Sequence, residues 1–147
     1  MIAVEQFPYG DRNPGSGGVD LMPDLPVVLR HQSGAVSTAG LIDSGASISV
    51  LPYRFGVQLG FDWNTQQARI TLAGSLANVD ARGIVIEAIV GRLSPVRLAI
   101  AWANSDQVPL LFGQFNFFQL FDVCFFRSRG LFEVRLPGTP SGAFVTP

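Results

Sequence analysis

The chain has 147 residues, the length of one domain of the commonest size, with 48% apolar residues, 14% charged residues and one cysteine. Its charged fraction is well under the roughly 25% of ordinary soluble domains, and its mean hydropathy is +0.33, so part of the apolar excess is expected to face a partner. All ten basic residues are arginine, eleven acids nearly balance them, and no basic run or stripe occurs, which argues against a nucleic-acid ligand.

Met1 to Gln6 carry no basic region followed by an apolar core, so no secretory signal is expected and a cytoplasmic setting is the default. Pro8 to Gly18 hold two Pro and four Gly, a composition that reads as arm or linker. Residues 1–23 are therefore expected to form a flexible arm, with one domain over residues 24–136. Pro26 to His31 and Val36 to Ile42 flank Gln32-Ser33-Gly34 and predict a hairpin. Ile48 to Leu51 predicts a short strand stopped by Pro52. Gln67 to Leu72 and Val79 to Val90, around a turn containing Gly74, predict a second, longer hairpin. Val96, Leu98, Ile100 and Trp102 alternate with Arg97, Ala99 and Ala101, as a strand with one buried face should. Phe115 to Leu120 is the only segment that reads as helical. Phe121 to Phe126 and Leu131 to Leu136 predict a closing hairpin. Eight of the twelve Phe lie between Phe112 and Phe132, which marks this end as core. Residues 137–147, rich in Pro and Gly, read as a tail in which Phe144 and Val145 could dock. The whole is an all-β pattern suited to a sandwich or barrel.

The longest apolar stretches, Gly83 to Gly91 and Leu120 to Phe126, are interrupted by Glu87 and Asp122 and fall far short of the roughly 20 residues of a membrane helix. No membrane partner is expected. Cys124 cannot form an intrachain disulfide and reads as a small buried hydrophobe. His31 has no supporting motif for a Ser-His-Asp triad. With one His and one Cys, no metal cluster at ligand spacing is present, and no Gly-rich phosphate loop opens a helix. No metal and no cofactor are implied.

The informative stretch is Leu41-Ile42-Asp43-Ser44-Gly45-Ala46-Ser47, followed by Ile48-Ser49-Val50-Leu51-Pro52. By itself Asp43-Ser44-Gly45 is a good turn. However, a charge placed directly after a buried-looking strand is costly without a purpose. The stretch resembles the active-site loop of the aspartic proteases, and Pro109-Leu110-Leu111-Phe112-Gly113 resembles the paired apolar residues plus Gly that pack behind that loop. The resemblance is to the retropepsin-like, single-lobe branch, including its bacterial members, and covers about Leu25 to Leu136. It implies a closed barrel-like fold with one short helix near the C-terminal end, completed as a homodimer.

Two carboxylates that share one proton can hydrolyse a peptide bond without metal or covalent intermediate: one deprotonates a water while the other protonates the scissile carbonyl. No second Asp-Ser-Gly or Asp-Thr-Gly exists, and no internal repeat is present. The resemblance therefore implies that Asp43 is contributed twice, across a two-fold axis. Gly45 lets the backbone turn sharply and offers its N–H to the carboxylate. Ser44 would hydrogen-bond across the dimer axis, with Ala46, Leu111, Phe112 and Gly113 supporting the loop. Ala46 lacks the hydroxyl that pepsin-like enzymes often carry there, which favours the protonated dyad and implies an optimum of roughly pH 4 to 6. Ser47 and Gln114 replace the Asp and Arg that usually form an ion pair near the interface, and a neutral hydrogen bond between the two could substitute. Leu72-Ala73-Gly74-Ser75 stand where the family has its flap, although an ordinary hairpin turn would read the same way. Trp102, Phe112 and Ile84 are core or pocket wall. The implied substrate is an extended polypeptide. The alternatives are a catalytically inactive module that keeps this fold for dimerisation or peptide binding, and an unrelated all-β domain in which Asp43 only caps a turn.

Overall fold

A computed structural model describes residues 3–138. The first strands are β1 (Val4–Pro8), β2 (Gly10–Asp11), β3 (Leu21–Met22), β4 (Asp24–His31), β5 (Gly34–Ile42) and β6 (Val50–Leu51), followed by helix α1 (Tyr53–Gln58). Then come β7 (Arg69–Ile70), β8 (Ala81–Ile89), β9 (Val96–Ala103), β10 (Leu111–Phe112), helix α2 (Phe117–Leu120), β11 (Asp122–Phe126) and β12 (Leu131–Arg135).

Alternation along three strands builds the core. Leu25, Val27 and Leu29 of β4, Ile84, Ile86 and Ala88 of β8, and Leu98, Ile100 and Trp102 of β9 all point into one apolar cluster. The neighbour order β4-β5-β10-β6-β9-β8 closes on itself, because β4 also pairs with β8 through Val28↔Ile89, Leu29↔Ala88 and Arg30↔Glu87. The result is a six-stranded barrel with β7 added outside β8. Closure leaves few edges for unwanted pairing. The β4–β5 hairpin turns through Gln32-Ser33, with Gln32 at φ 52, and Gly34 lets the backbone of Leu59 approach closely.

Outside the barrel, β1, β12 and β11 form a three-stranded antiparallel sheet. This corrects the expected flexible arm: residues 4–8 are a strand, paired with β12 from Val4↔Arg135 to Pro8↔Leu131. Gln6 Nε2 donates to Glu133 Oε2 at 3.0 Å, and the Phe7 and Phe132 rings lie 5.6 Å apart. Residues 10–22 contribute the short β2–β3 ladder, and Arg12 bonds Asp24 at 2.6 Å, fastening this segment to β4. Most of the expected tail, including Phe144 and Val145, lies outside the described residues.

Three further expectations need correction. Helix α1 was not legible in the sequence; it follows Pro52 directly and packs on Trp102, where Gly56 leaves the only room, since a Cβ there would run into the indole. Strand β7 is two residues rather than six, because Leu72 turns inward to a second apolar cluster with Val50, Ala101 and Val108, and β8 starts at Ala81 rather than Val79. Cys124 is half-buried, since β11 is an edge of the three-stranded sheet.

Candidate active site

Strand β5 ends with Ile42 in the core, and residues 43–49 carry the chain across to β6. Between them lies β10, parallel to β5 and antiparallel to β6, so the loop must pass over the end of β10. Backbone bonds fasten it there. The Asp43 N–H donates to Phe112 O at 2.9 Å, the Ala46 N–H to Asp43 O at 3.1 Å, the Gln114 N–H to Ala46 O at 2.8 Å, and the Phe115 N–H to Ser47 O at 2.8 Å. Gly113 is required by the crossing: a Cβ would strike the carbonyl oxygens of Ala46 and Ile48.

Asp43 is half-buried, and the Gly45 N–H donates to its Oδ1 at 2.9 Å. Ser44 and Gly45 form an exposed tip. The expected side-chain bond between Ser47 and Gln114 is replaced by another: Gln114 Nε2 donates to Ser44 O at 2.7 Å.

A cavity of about 310 Å³ brings Asp43, Gly45, Ala46 and Ser47 together with Leu72, Ala73, Gly74 and Ser75. Two segments some thirty residues apart in sequence, expected as catalytic loop and flap, therefore face one space. Leu72 is anchored in the second apolar cluster, whereas Ala73, Gly74 and Ser75 are exposed, with Gly74 at φ 63. Leu111 also lines the cavity; Phe112 lies in the core, its ring 4.7 Å from that of Phe117, and Gly113 sits behind the loop. Trp102 and Ile84 are both buried in the barrel core, and Ile84 also borders a second, apolar cavity. Asp43 is the only titratable side chain lining the first cavity among the described residues. His31 stacks on Phe61 at 4.0 Å and lines a different cavity from Asp43.

Two supporting residues escaped the sequence reading. Ser49, 1% exposed, accepts the Gly113 N–H on Oγ at 3.0 Å; a hydroxyl at a buried position between Ile48 and Val50 was the available signal. Asn116, at φ 76, accepts the Ala99 N–H on Oδ1 at 2.5 Å and opens α2 through a reciprocal pair of bonds with Gln119. With ψ at −54, Asn116 sits in the rare and strained γ-turn region of positive φ rather than the left-handed helical one, and its bonds to Ala99 and Gln119 hold it there. Among the described residues, no group of three or more His, Cys, Asp or Glu could hold a metal ion, and no helix is long and apolar enough to cross a membrane.

No protein-family model and no curated protein matches the chain. Among solved structures, a retropepsin-like aspartic protease from Rickettsia conorii superposes with a TM-score of 0.62 over 90% of this chain and 92% of its own, at 16% identity. The fold is retropepsin-like. EIAV protease complexed with the inhibitor HBY-793 matches 65% of this chain and 84% of its own at 19% identity, with a TM-score of 0.47. Within this retropepsin-like fold, the loop at Asp43 sits at the junction of β5, β10 and β6 and brings one carboxylate to its cavity.

Proposed function

We propose that the protein is an aspartic endopeptidase whose site is completed by a second copy of the same chain. The observation that carries this reading is the single carboxylate: Asp43 faces a cavity with no second acid, next to an exposed Ser44-Gly45 tip that a symmetry mate can meet. Two copies of Asp43 brought to about 3 Å would share one proton, since like charges at that separation cannot both ionise. The ionised member takes a proton from a water bound between the pair. That water attacks the scissile carbonyl carbon while the protonated member gives its proton to the carbonyl oxygen. Collapse of the tetrahedral diol, with a proton passed to the leaving nitrogen, releases both peptides and restores the dyad.

Ser44, at the tip, would bond across the axis and lock the two loops. Ala73, Gly74 and Ser75, exposed above a buried Leu72, are suited to a flap that moves at its tip and holds at its base. The substrate is an extended polypeptide, gripped by main-chain hydrogen bonds. Ala46 supplies no side-chain donor to the dyad, so an optimum of roughly pH 4 to 6 is proposed.

The test incubates purified protein with unfolded polypeptide across a pH series, beside Asp43→Asn, with sedimentation at assay concentration. Cleavage by the wild type alone, from a dimer, supports the reading. Cleavage that survives Asp43→Asn, or an active monomer, overturns it. A folded dimer that binds peptide but never cleaves it assigns the protein to the non-catalytic alternative.

A further inference from the structure

Three cavities run in series over the outside of the barrel. The one containing Asp43 shares Ile48 with a second cavity of about 250 Å³, and the second shares Val85 with a third of about 500 Å³. Their characters differ. The second is walled by Ile48, Ile70, Ala99 and Phe115 and carries no charged side chain. The third is lined by Arg30, His31, Gln32, Glu87 and Arg97. A common floor connects these two, because Gly83, Val85 and Glu87 alternate along the outer face of β8. From Gly83 to Glu87 the strand advances about 13 Å, the reach of about four residues of extended chain.

The third cavity carries more positive than negative charge. Glu87 stands between two arginines in register, opposite Arg30 on β4 and opposite Arg97 on β9. It accepts from Arg30 Nε at 2.6 Å, and Arg97 forms no ion pair among the described residues. With Glu87 bonded by Arg30, the Arg97 guanidinium is left as an exposed cationic fork, in a shape suited to a second carboxylate.

We infer that this track selects the polypeptide substrate: an apolar side chain fills the cavity beside Ile48, Ala99 and Phe115, and an acidic side chain further along the same extended segment pairs with Arg97. The inference rests on the proposed peptidase reading for its substrate class, yet it concerns binding and is testable without turnover. Charge complementarity and the continuous passage from the Asp43 cavity argue for this occupant.

The experiment measures fluorescence anisotropy of the full-length Asp43→Asn protein with labelled extended peptides identical except for one outer position, which is Glu, Gln or Lys. The Glu peptide is expected to bind about tenfold more tightly than the Lys peptide, a preference that shrinks as salt rises. Arg97→Glu, at an exposed position, is expected to reverse the order. Gly83→Val, whose side chain would enter the apolar cavity where the nearest atoms to a Cβ are 3.4–3.6 Å away, is expected to abolish the preference for a large apolar residue at the inner position. Equal binding of Glu and Lys peptides, or a Glu preference that survives Arg97→Glu, overturns the inference. Wild-type protein that binds the Glu peptide selectively but cleaves none of the three would overturn the peptidase reading alone; cleavage of all three at equal rates with equal binding would overturn the track alone.

Discussion

Ser49 and Gly113, 64 residues apart in sequence, are joined by a buried hydrogen bond of 3.0 Å from the Gly113 N–H to Ser49 Oγ. It ties the strand leaving the Asp43 loop to the strand on which that loop rests. Ser49→Ala leaves a backbone donor buried without its acceptor, which costs about 1–3 kcal/mol. Urea unfolding should show that loss, with the slope against denaturant unchanged because the surface exposed on unfolding is the same.

Under the proposed function, Gln114 positions the loop through its 2.7 Å bond to Ser44 O. The bond is exposed, so its net worth is about 0.5–1.5 kcal/mol. Gln114→Ala should therefore lower kcat/KM by up to about tenfold while the melting temperature falls by only a few degrees. A large fall in stability with unchanged activity would show that the bond serves the fold instead.

The hairpins β4–β5 and β11–β12, the strand β9 and the Asp43 loop were legible because each is announced locally, by alternation, turn residues or an acid after an apolar strand. The elements that were missed depend on distant partners. β1 is five residues of mixed character whose ladder and Gln6–Glu133 bond reach across almost the whole chain. α1 is six residues long with no side-chain cap, too short to declare itself by periodicity. At the site, residue types singled out the Asp43 loop and residues 72–75, which line one cavity, whereas the bond from Gln114 to Ser44 O depended on how the folded backbone brings residues 70 apart together.

Gly56 is one such distant dependence, and it is open to a direct test. Alanine is worth about 1 kcal/mol more than glycine within a helix, but here the added methyl meets the indole of Trp102. Trp102 is fully buried, and its Nε1 donates to Tyr53 O at 3.0 Å, so it cannot easily retreat. Overpacking of about 1–3 kcal/mol or more outweighs the helical gain. Gly56→Ala should lower the melting temperature; an increase would mean that α1 shifts freely on the barrel.

Glu133 links stability to pH. The hydrogen bond from Arg135 at 2.5 Å, helped by one from Gln6, holds its carboxyl below the usual range against the opposing effect of burial. A carboxylate lowered in the folded state stabilises it fully above the unfolded value of about 4.3 and loses that contribution as pH falls through the folded value. Glu133→Gln should thus be less stable than wild type at neutral pH. The gap should hold above about pH 5 and close as acid is added below about pH 4. A constant gap across the titration would contradict the assignment.

The chain's two tryptophans, Trp63 and Trp102, stand in edge contact at 5.1 Å within one aromatic group beside α1. Tryptophan emission is therefore a probe of the barrel wall and is blind to the sheet of β1, β12 and β11, where the nearest phenol is Tyr9, edge-on to Phe132 at 5.7 Å. If acid peels β1 away before the barrel opens, fluorescence will report a folded protein while circular dichroism already records lost strand. Agreement between the two signals would mean that the outer sheet and the barrel melt as one cooperative unit.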